Sequence, residues 1–353
     1  MRRRILLSLA GLLVTLVSLE LLLRALPVST ATLTGYHFDR DLLTYPTGHE
    51  WTVSTGWDLR NPQRLRSNNW GYASPRDFLS DRSAIALIGD SYVEASMLDA
   101  SHRPAAQLES QLGTSRPVYG MGSPGTALLD YAQRVRFAAE KFQVRDFVIW
   151  LEVGDVRQAL CGSGNVQSRC LDPRTLEPRI ERLPDPSWLK RVARHSALAQ
   201  YFAGQLKFRS ATFLAALLSR STPDDPIRRA TPAVGTVGSG AAPDDIRHAR
   251  RVVDAVLNRF FEVAGPYLVG KTVFIVDGDR GGTQRVNNES LMQRQYLIDG
   301  LRGRGFQVVD LEPIYAEHAA GSPLSLEVGP YDRHLNALGV QLVMGQAARS
   351  LAP

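Results

Sequence analysis

From about residue 84 onward, short unbroken apolar runs alternate with longer segments whose apolar residues recur at helical spacing. Residues 84–88, 147–151, 271–276 and 307–311 are runs of strand length, and 117–119 forms a shorter one. Between them, 103–112, 126–142 and 289–302 read as helices. In the second, Leu128, Leu129, Ala132, Val135 and Ala139 fall on or near one face. Strands apolar on both sides are expected where helices cover both faces of a sheet. The alternating order predicts an α/β fold, a parallel sheet with helices on either side.

The pattern differs in two places. Residues 27–83 are irregular and rich in Trp, Tyr, Pro and Asn, with a turn expected at 66–72, where Asn and Gly tolerate positive φ. Residues 156–245 read as an insertion. Within it, 187–220 looks helical, with Trp188, Val192, Leu198, Tyr201, Phe202 and Leu206 on an apolar face, and 221–243 reads as a Pro/Gly/Ser/Thr-rich loop. Asp244 and Asp245 then favour the start of another helix, to about residue 263. The expected organisation is an anchor at 1–26, a lead-in at 27–83 and a domain at 84–353 carrying the insertion.

Residues 5–26 are apolar except for Ser8, Thr15, Ser18, Glu20 and Arg24, and their length suits one bilayer crossing of roughly 20 residues. Glu20 and Arg24 are four apart and can pair on a helix. Arg2, Arg3 and Arg4 predict a cytoplasmic N-terminus with the remainder exported. A cleaved signal peptide is the competing reading, but no clean A-x-A site follows; 29–31 is the nearest approach. A buried core helix is a third and weaker one.

Charge narrows the partners. The formal net charge is +6, of which three charges are that N-terminal cluster, and the other arginines are scattered. No basic run interleaved with aromatics marks a nucleic-acid surface. Only two cysteines are present, Cys161 and Cys170, in a Gly/Ser-rich loop. In an exported chain they read as a small loop-closing disulfide, and without a nearby His they do not complete a metal site. No cofactor is expected.

Candidate chemistry lies at the two ends of the α/β region. Gly89-Asp90-Ser91 follows the first apolar run, which places a hydroxyl beyond the carboxyl end of a strand, where open α/β sheets bind ligands. By itself it reads as a helix cap, and the G-x-S-x-G elbow is absent. Asp332-Arg333-His334-Leu335-Asn336 and then Gly339 precede a C-terminal amphipathic segment. Alone, His334 would be a loop histidine and Asp332 a cap. Together the two ends supply nucleophile, base and orienting acid.

On these motifs the chain resembles the SGNH (GDSL-type) hydrolase superfamily, from Asn68 to the C-terminus outside the insertion. It is most similar to the membrane-anchored bacterial branch that includes alginate O-acetyltransferase-like proteins. The resemblance implies a flavodoxin-like three-layer α/β/α fold, with Ser91 as nucleophile, His334 as base and Asp332 as acid. It assigns oxyanion donors to the N–H groups of Ser91 and Gly125. The family's third block normally reads Gly-x-Asn-Asp; here Glu152-Val153-Gly154-Asp155 puts Gly154 at the Asn position. Losing one such donor costs roughly 10²–10³ in turnover.

The Asp-x-His spacing resembles the O-acetyltransferase branch. Glu152 and Asp155 read as solvated loop carboxylates, and Asp277-Gly278-Asp279 at the same edge is given no catalytic role. The resemblance therefore implies a single-pass protein of the bacterial inner membrane, its C-terminal domain periplasmic or extracellular. It would act on O-acyl, above all acetyl, esters of envelope or secreted glycans and would have envelope-protein partners. The alternative is a glycan-binding or scaffolding module of the same fold whose chemistry is crippled at Gly154.

Overall fold

The computed structural model describes residues 2–39, 42–113, 116–166, 169–181, 186–206, 243–280 and 288–352. These form two compact units, one drawn from 1–35, 50–65 and 184–232, the other from 36–49, 66–183 and 233–353.

The larger unit is built on a five-stranded sheet: β1 (Ile85–Gly89), β2 (Val118–Gly122), β3 (Asp146–Leu151), β4 (Thr272–Val276) and β5 (Gln307–Asp310). Every strand pair described is parallel, and the order is β2-β1-β3-β4-β5. The chain therefore winds one way from β1 to β2 and the other way from β3 onward. The crevice at such a reversal, beyond the strand ends between β1 and β3, is where this topology binds ligands.

Alternation along each central strand builds two cores. Ala86, Ile88, Phe147, Ile149, Phe274 and Val276 face one cluster, completed by helices Leu128–Phe142, Pro243–Ala264 and Asn288–Gly303. Ile85, Leu87, Val148, Trp150, Val273 and Ile275 face the other, under Pro104–Leu112, Ala337–Leu351 and Tyr315 of Glu312–Gly321. The three-layer expectation thus matches the fold.

Three expectations change. The second strand runs to Gly122 rather than ending near 119. Gly122 packs flat on the segment after β1, where an added Cβ would lie 2.3 Å from the Glu94 nitrogen and 2.8 Å from the Asp90 carbonyl. The lead-in is not wholly irregular, since His37–Asp39 pairs with Leu42–Thr44 and Glu50–Thr55 with Arg60–Arg66. The long helix expected at 187–220 is broken into Trp188–Ala193, Ala197–Ala199 and a π-helical turn, Gln200–Gln205. Ser196 caps the second piece by accepting the Ala199 N–H, which ends the first. The expected remainder of that helix, and the loop expected to follow it, fall on 207–242, outside the described residues.

In the smaller unit, helix α1 (Arg2–Ala25) has a mean hydropathy of 2.4 over its most apolar stretch and is long and apolar enough to cross a membrane. The predicted Glu20–Arg24 pair forms, Nε to Oε1, at 2.7 Å.

Candidate active site

Ser91 opens a single helical turn, Ser91–Glu94, directly after β1. Asp90 caps that turn, its Oδ1 accepting the Tyr92 N–H at 2.8 Å. Ala95 closes it in the left-handed region at φ 45°. Gly89 is required at the strand end, because a Cβ there would meet Val93 Cγ2 at 2.6 Å. The Ser91 N–H is among the donors that a helix start leaves without an intrahelical partner.

Asp332 and His334 lie on the loop before the C-terminal helix, Ala337–Leu351. Each residue of that motif has a local reason. Asn336 caps the helix by accepting the Gly339 N–H at 2.9 Å, and its amide donates to the carbonyls of Ser325 (2.7 Å) and Glu327 (3.1 Å). Gly339 leaves room for the Leu326 carbonyl, 2.7 Å from where a Cβ would stand. Val328 donates to the His334 carbonyl at 2.9 Å, which fixes the loop on its own neighbour.

With the loop so held, His334 Nε2 lies 2.9 Å from Ser91 Oγ, and His334 Nδ1 lies 2.6 Å from Asp332 Oδ1. The same carboxylate oxygen accepts the His334 backbone N–H at 2.9 Å. A carboxylate at Nδ1 retains the proton there, which leaves the Nε2 lone pair to accept from the serine hydroxyl. Asp332 is 13% exposed and His334 30%, so the pair is sheltered while the imidazole stays within reach of solvent.

A second layer, which sequence reading did not single out, holds this arrangement. The Tyr92 ring stands 5.1 Å from the His334 ring and 5.8 Å from Trp150. Buried Arg280 donates to the Tyr92 hydroxyl (2.9 Å), Asp277 Oδ2 (2.6 Å) and the Arg333 carbonyl (2.7 Å). Burial works against the Arg280 charge, but Asp277 outweighs it and pushes the guanidinium pKa further up. Asp277 also accepts from Tyr315 at 2.8 Å. Fully buried Arg134, from Leu128–Phe142, donates to the Gly89 carbonyl at 2.7 Å and to Thr126 Oγ1 at 3.1 Å. Its only trace in the sequence is a charge among helix positions that face the core.

The corner beyond β3 is arranged differently. The Gly154 N–H donates to Glu152 Oε2 at 3.0 Å, and Gln158 Nε2 donates to the same oxygen at 2.9 Å. Asp155 is fully buried, accepting the Glu152 N–H (2.9 Å) and the Tyr131 hydroxyl (3.2 Å). Glu152 and Asp155 are therefore not solvated loop carboxylates. Burial pushes the Glu152 carboxyl up to about 7 and holds that of Asp155 well above the usual range. Burial also raises Asp90.

Gly125 lies in the turn after β2 at φ 76°, a conformation that glycine adopts without strain, and its carbonyl accepts from Val166 at 2.8 Å. Cys161 and Cys170 form a disulfide. On the far side of the nucleophile turn, Val93 and Glu94 help line a cavity of about 790 Å³ with Arg76, Arg103 and Glu109; the Ser91, His334 and Asp332 side chains do not line it. Burial pushes Glu94 up to about 7.

No protein-family model matches the chain, and no curated protein matches it. Among solved structures, the chain is similar to a member of the lipolytic protein G-D-S-L family from Veillonella parvula (11% identity, 76% of this chain and 97% of that one, TM-score 0.39). It is similar to a putative lipolytic protein of the G-D-S-L family from Desulfitobacterium hafniense (13% identity, 76% and 99%, TM-score 0.39). A third is a carbohydrate acetylesterase from Sinorhizobium meliloti (11% identity, 76% and 97%, TM-score 0.35).

Proposed function

We propose that this chain is a serine-dependent ester hydrolase or O-acyltransferase of the SGNH type. The observation that carries the reading is the hydrogen-bonded relay Ser91–His334–Asp332, assembled from residues 243 positions apart in sequence. His334 takes the Ser91 proton as Oγ attacks the acyl carbonyl, and Asp332 steadies the imidazolium that forms. The N–H groups of Ser91 and Gly125 receive the developing oxyanion. Collapse of the tetrahedral intermediate expels the alcohol, which takes its proton from His334 and leaves an acyl-Ser91 ester. Water then yields an acid, or a sugar hydroxyl yields a new ester, with His334 serving as base again.

The substrate class is an O-acyl, above all acetyl, ester on an envelope or secreted glycan. Two features support it: the one-residue spacing of acid and base, and a membrane anchor whose Arg2–Arg4 cluster stays in the cytoplasm while the larger unit lies outside. A fluorophosphonate probe should label the full-length chain at Ser91, and 4-nitrophenyl acetate should be turned over. Absence of both from folded protein would remove the enzyme reading. The inward-turned Gly154 N–H favours the second reading, a glycan-binding module of the same fold, which binding of an acetylated glycan by folded, unlabelled protein would establish.

A further inference from the structure

The smaller unit contains an apolar face that packs against nothing described. Helical spacing placed Trp188 and Val192 on one apolar face. Trp188 is 69% exposed, Leu189 62% and Val192 61%. At positions i, i+1 and i+4 they share one side of the helix Trp188–Ala193, with exposed Lys190 and Arg191 off that side.

Where this helix stands relative to a bilayer follows from α1. Arg4 and Glu20 are 16 residues apart, about 24 Å along a helix. The hydrocarbon core is roughly 30 Å thick. A helix that keeps Arg4 at one boundary therefore has Glu20 at or inside the other. A carboxylate there has to be paired. Glu20 is held by Arg24 Nε at 2.7 Å, Ser196 Oγ at 2.8 Å, and the N–H groups of Ala197 and Leu198 at 2.9 Å each. Arg24 in turn donates to the His195 carbonyl at 3.1 Å. Residues 195–198 are thus tied to the last turns of the membrane helix. The helix Trp188–Ala193 immediately precedes them and is only about 9 Å long.

We propose that Trp188–Ala193 is a membrane-interface element, with Trp188, Leu189 and Val192 set among the lipid headgroups and upper acyl chains on the outer side. Lys190 and Arg191 meet anionic headgroups, and the Glu20 cluster serves as the joint that fixes this element to the anchor. Trp at the interface and basic residues beside an apolar face are the composition that this environment selects. The occupant is lipid rather than a protein because residues 195–198, which directly follow this helix, are tied to the end of α1 where Leu21 (63% exposed) and Leu22 (56%) are bare as well.

This inference rests on α1 being inserted in a membrane, so the test reads the two separately. The full-length chain, its disulfide intact, is reconstituted in phosphatidylcholine vesicles containing phosphatidylglycerol. Nitroxide labels are placed one at a time through Trp188→Cys, Val192→Cys, Leu13→Cys and the exposed reference Ser101→Cys. Collision rates with oxygen and with a water-soluble nickel chelate are then compared. The expected result is a severalfold higher oxygen-to-nickel ratio at 188 and 192 than at 101, with 13 higher still. A lipid-like ratio at 13 with nickel access at 188 and 192 equal to that at 101 overturns the interfacial element alone. Low collision with both reagents at 188 and 192 means that protein covers the face, and also overturns it. A water-like ratio at 13 removes the inserted anchor and the inference with it.

Discussion

At the carboxyl end of β1, Ser91 keeps its hydroxyl toward His334 at 2.9 Å, in a crevice that the strand order opens. At the carboxyl end of β3, the Gly154 N–H, the Gln158 amide and the Glu152 carboxylate are bonded to one another, and Asp155 is buried beneath them. The two corners share one sheet edge but spend their polar groups in opposite ways. A donor already paired within the protein gains little by turning to a substrate oxygen, since it must first give up its partner. The nucleophile corner has the geometry of a working site. The β3 corner has the geometry of a buttress.

The largest effects should come from breaking the nucleophile corner. Ser91→Ala is expected to lower esterase turnover at least about 10³-fold and to abolish fluorophosphonate labelling. Asp332→Asn should cost about 10³–10⁴-fold in kcat by releasing the imidazole tautomer. Rates within tenfold of wild type for either would show that the relay is not the reacting centre.

Next comes the β3 corner. A Cβ on Gly154 would lie 2.6 Å from Gln158 Nε2 and 2.8 Å from Glu152 Oε2, so Gly154→Asn alone should not raise the rate. Combined with Gln158→Ala and Glu152→Ala, which remove both close contacts, the new amide should increase kcat by up to about 10²-fold. An increase from the single substitution would mean that the corner is not closed.

Arg280→Met should lower kcat about 10- to 100-fold by letting the Tyr92 ring and the Arg333 carbonyl shift. Labelling of Ser91 should persist, more slowly. Unchanged kcat would separate Arg280 from the positioning of His334.

The last effect is on stability. Folding raises the Glu152 pKa from 4.5 to about 7, so the folded state holds the proton more tightly than the unfolded chain. The stability this contributes is complete below pH 4.5 and is lost as pH rises through 7. Glu152→Gln should therefore leave the melting temperature nearly unchanged at pH 4 and raise stability at pH 8 by up to about 3 kcal/mol. Equal gains at both pH values would show that Glu152 ionises normally.

The chain's local chemistry made some of this legible before any coordinates. Ala86, Leu87 and Ile88 sit in an unbroken apolar run because both faces of β1 are covered, and such runs disclose a parallel sheet directly. Asp332, His334, Asn336 and Gly339 were legible because they make one short motif, in which Asp332 accepts the His334 N–H and Asn336 the Gly339 N–H. Arg134, Arg280 and Tyr92 were not, since their partners lie on other elements and nothing in their own spacing announces them. Trp188 and Val192 were read only as part of an apolar face, because helical periodicity reports that residues share a face without reporting what covers it.

The sequence by itself therefore determined the alternation of strands and helices, the long apolar N-terminal helix and the identities of the three relay residues, all properties of short stretches of chain. Only the tertiary structure decided that the relay closes, that the Gly154 corner turns inward, and that the Trp188 face lies bare. The relay depends on segments 243 residues apart meeting, the Gly154 corner on the burial of Glu152 and Asp155, and the Trp188 face on what packs over it, and most buried polar groups take the partner that packing brings within about 3 Å.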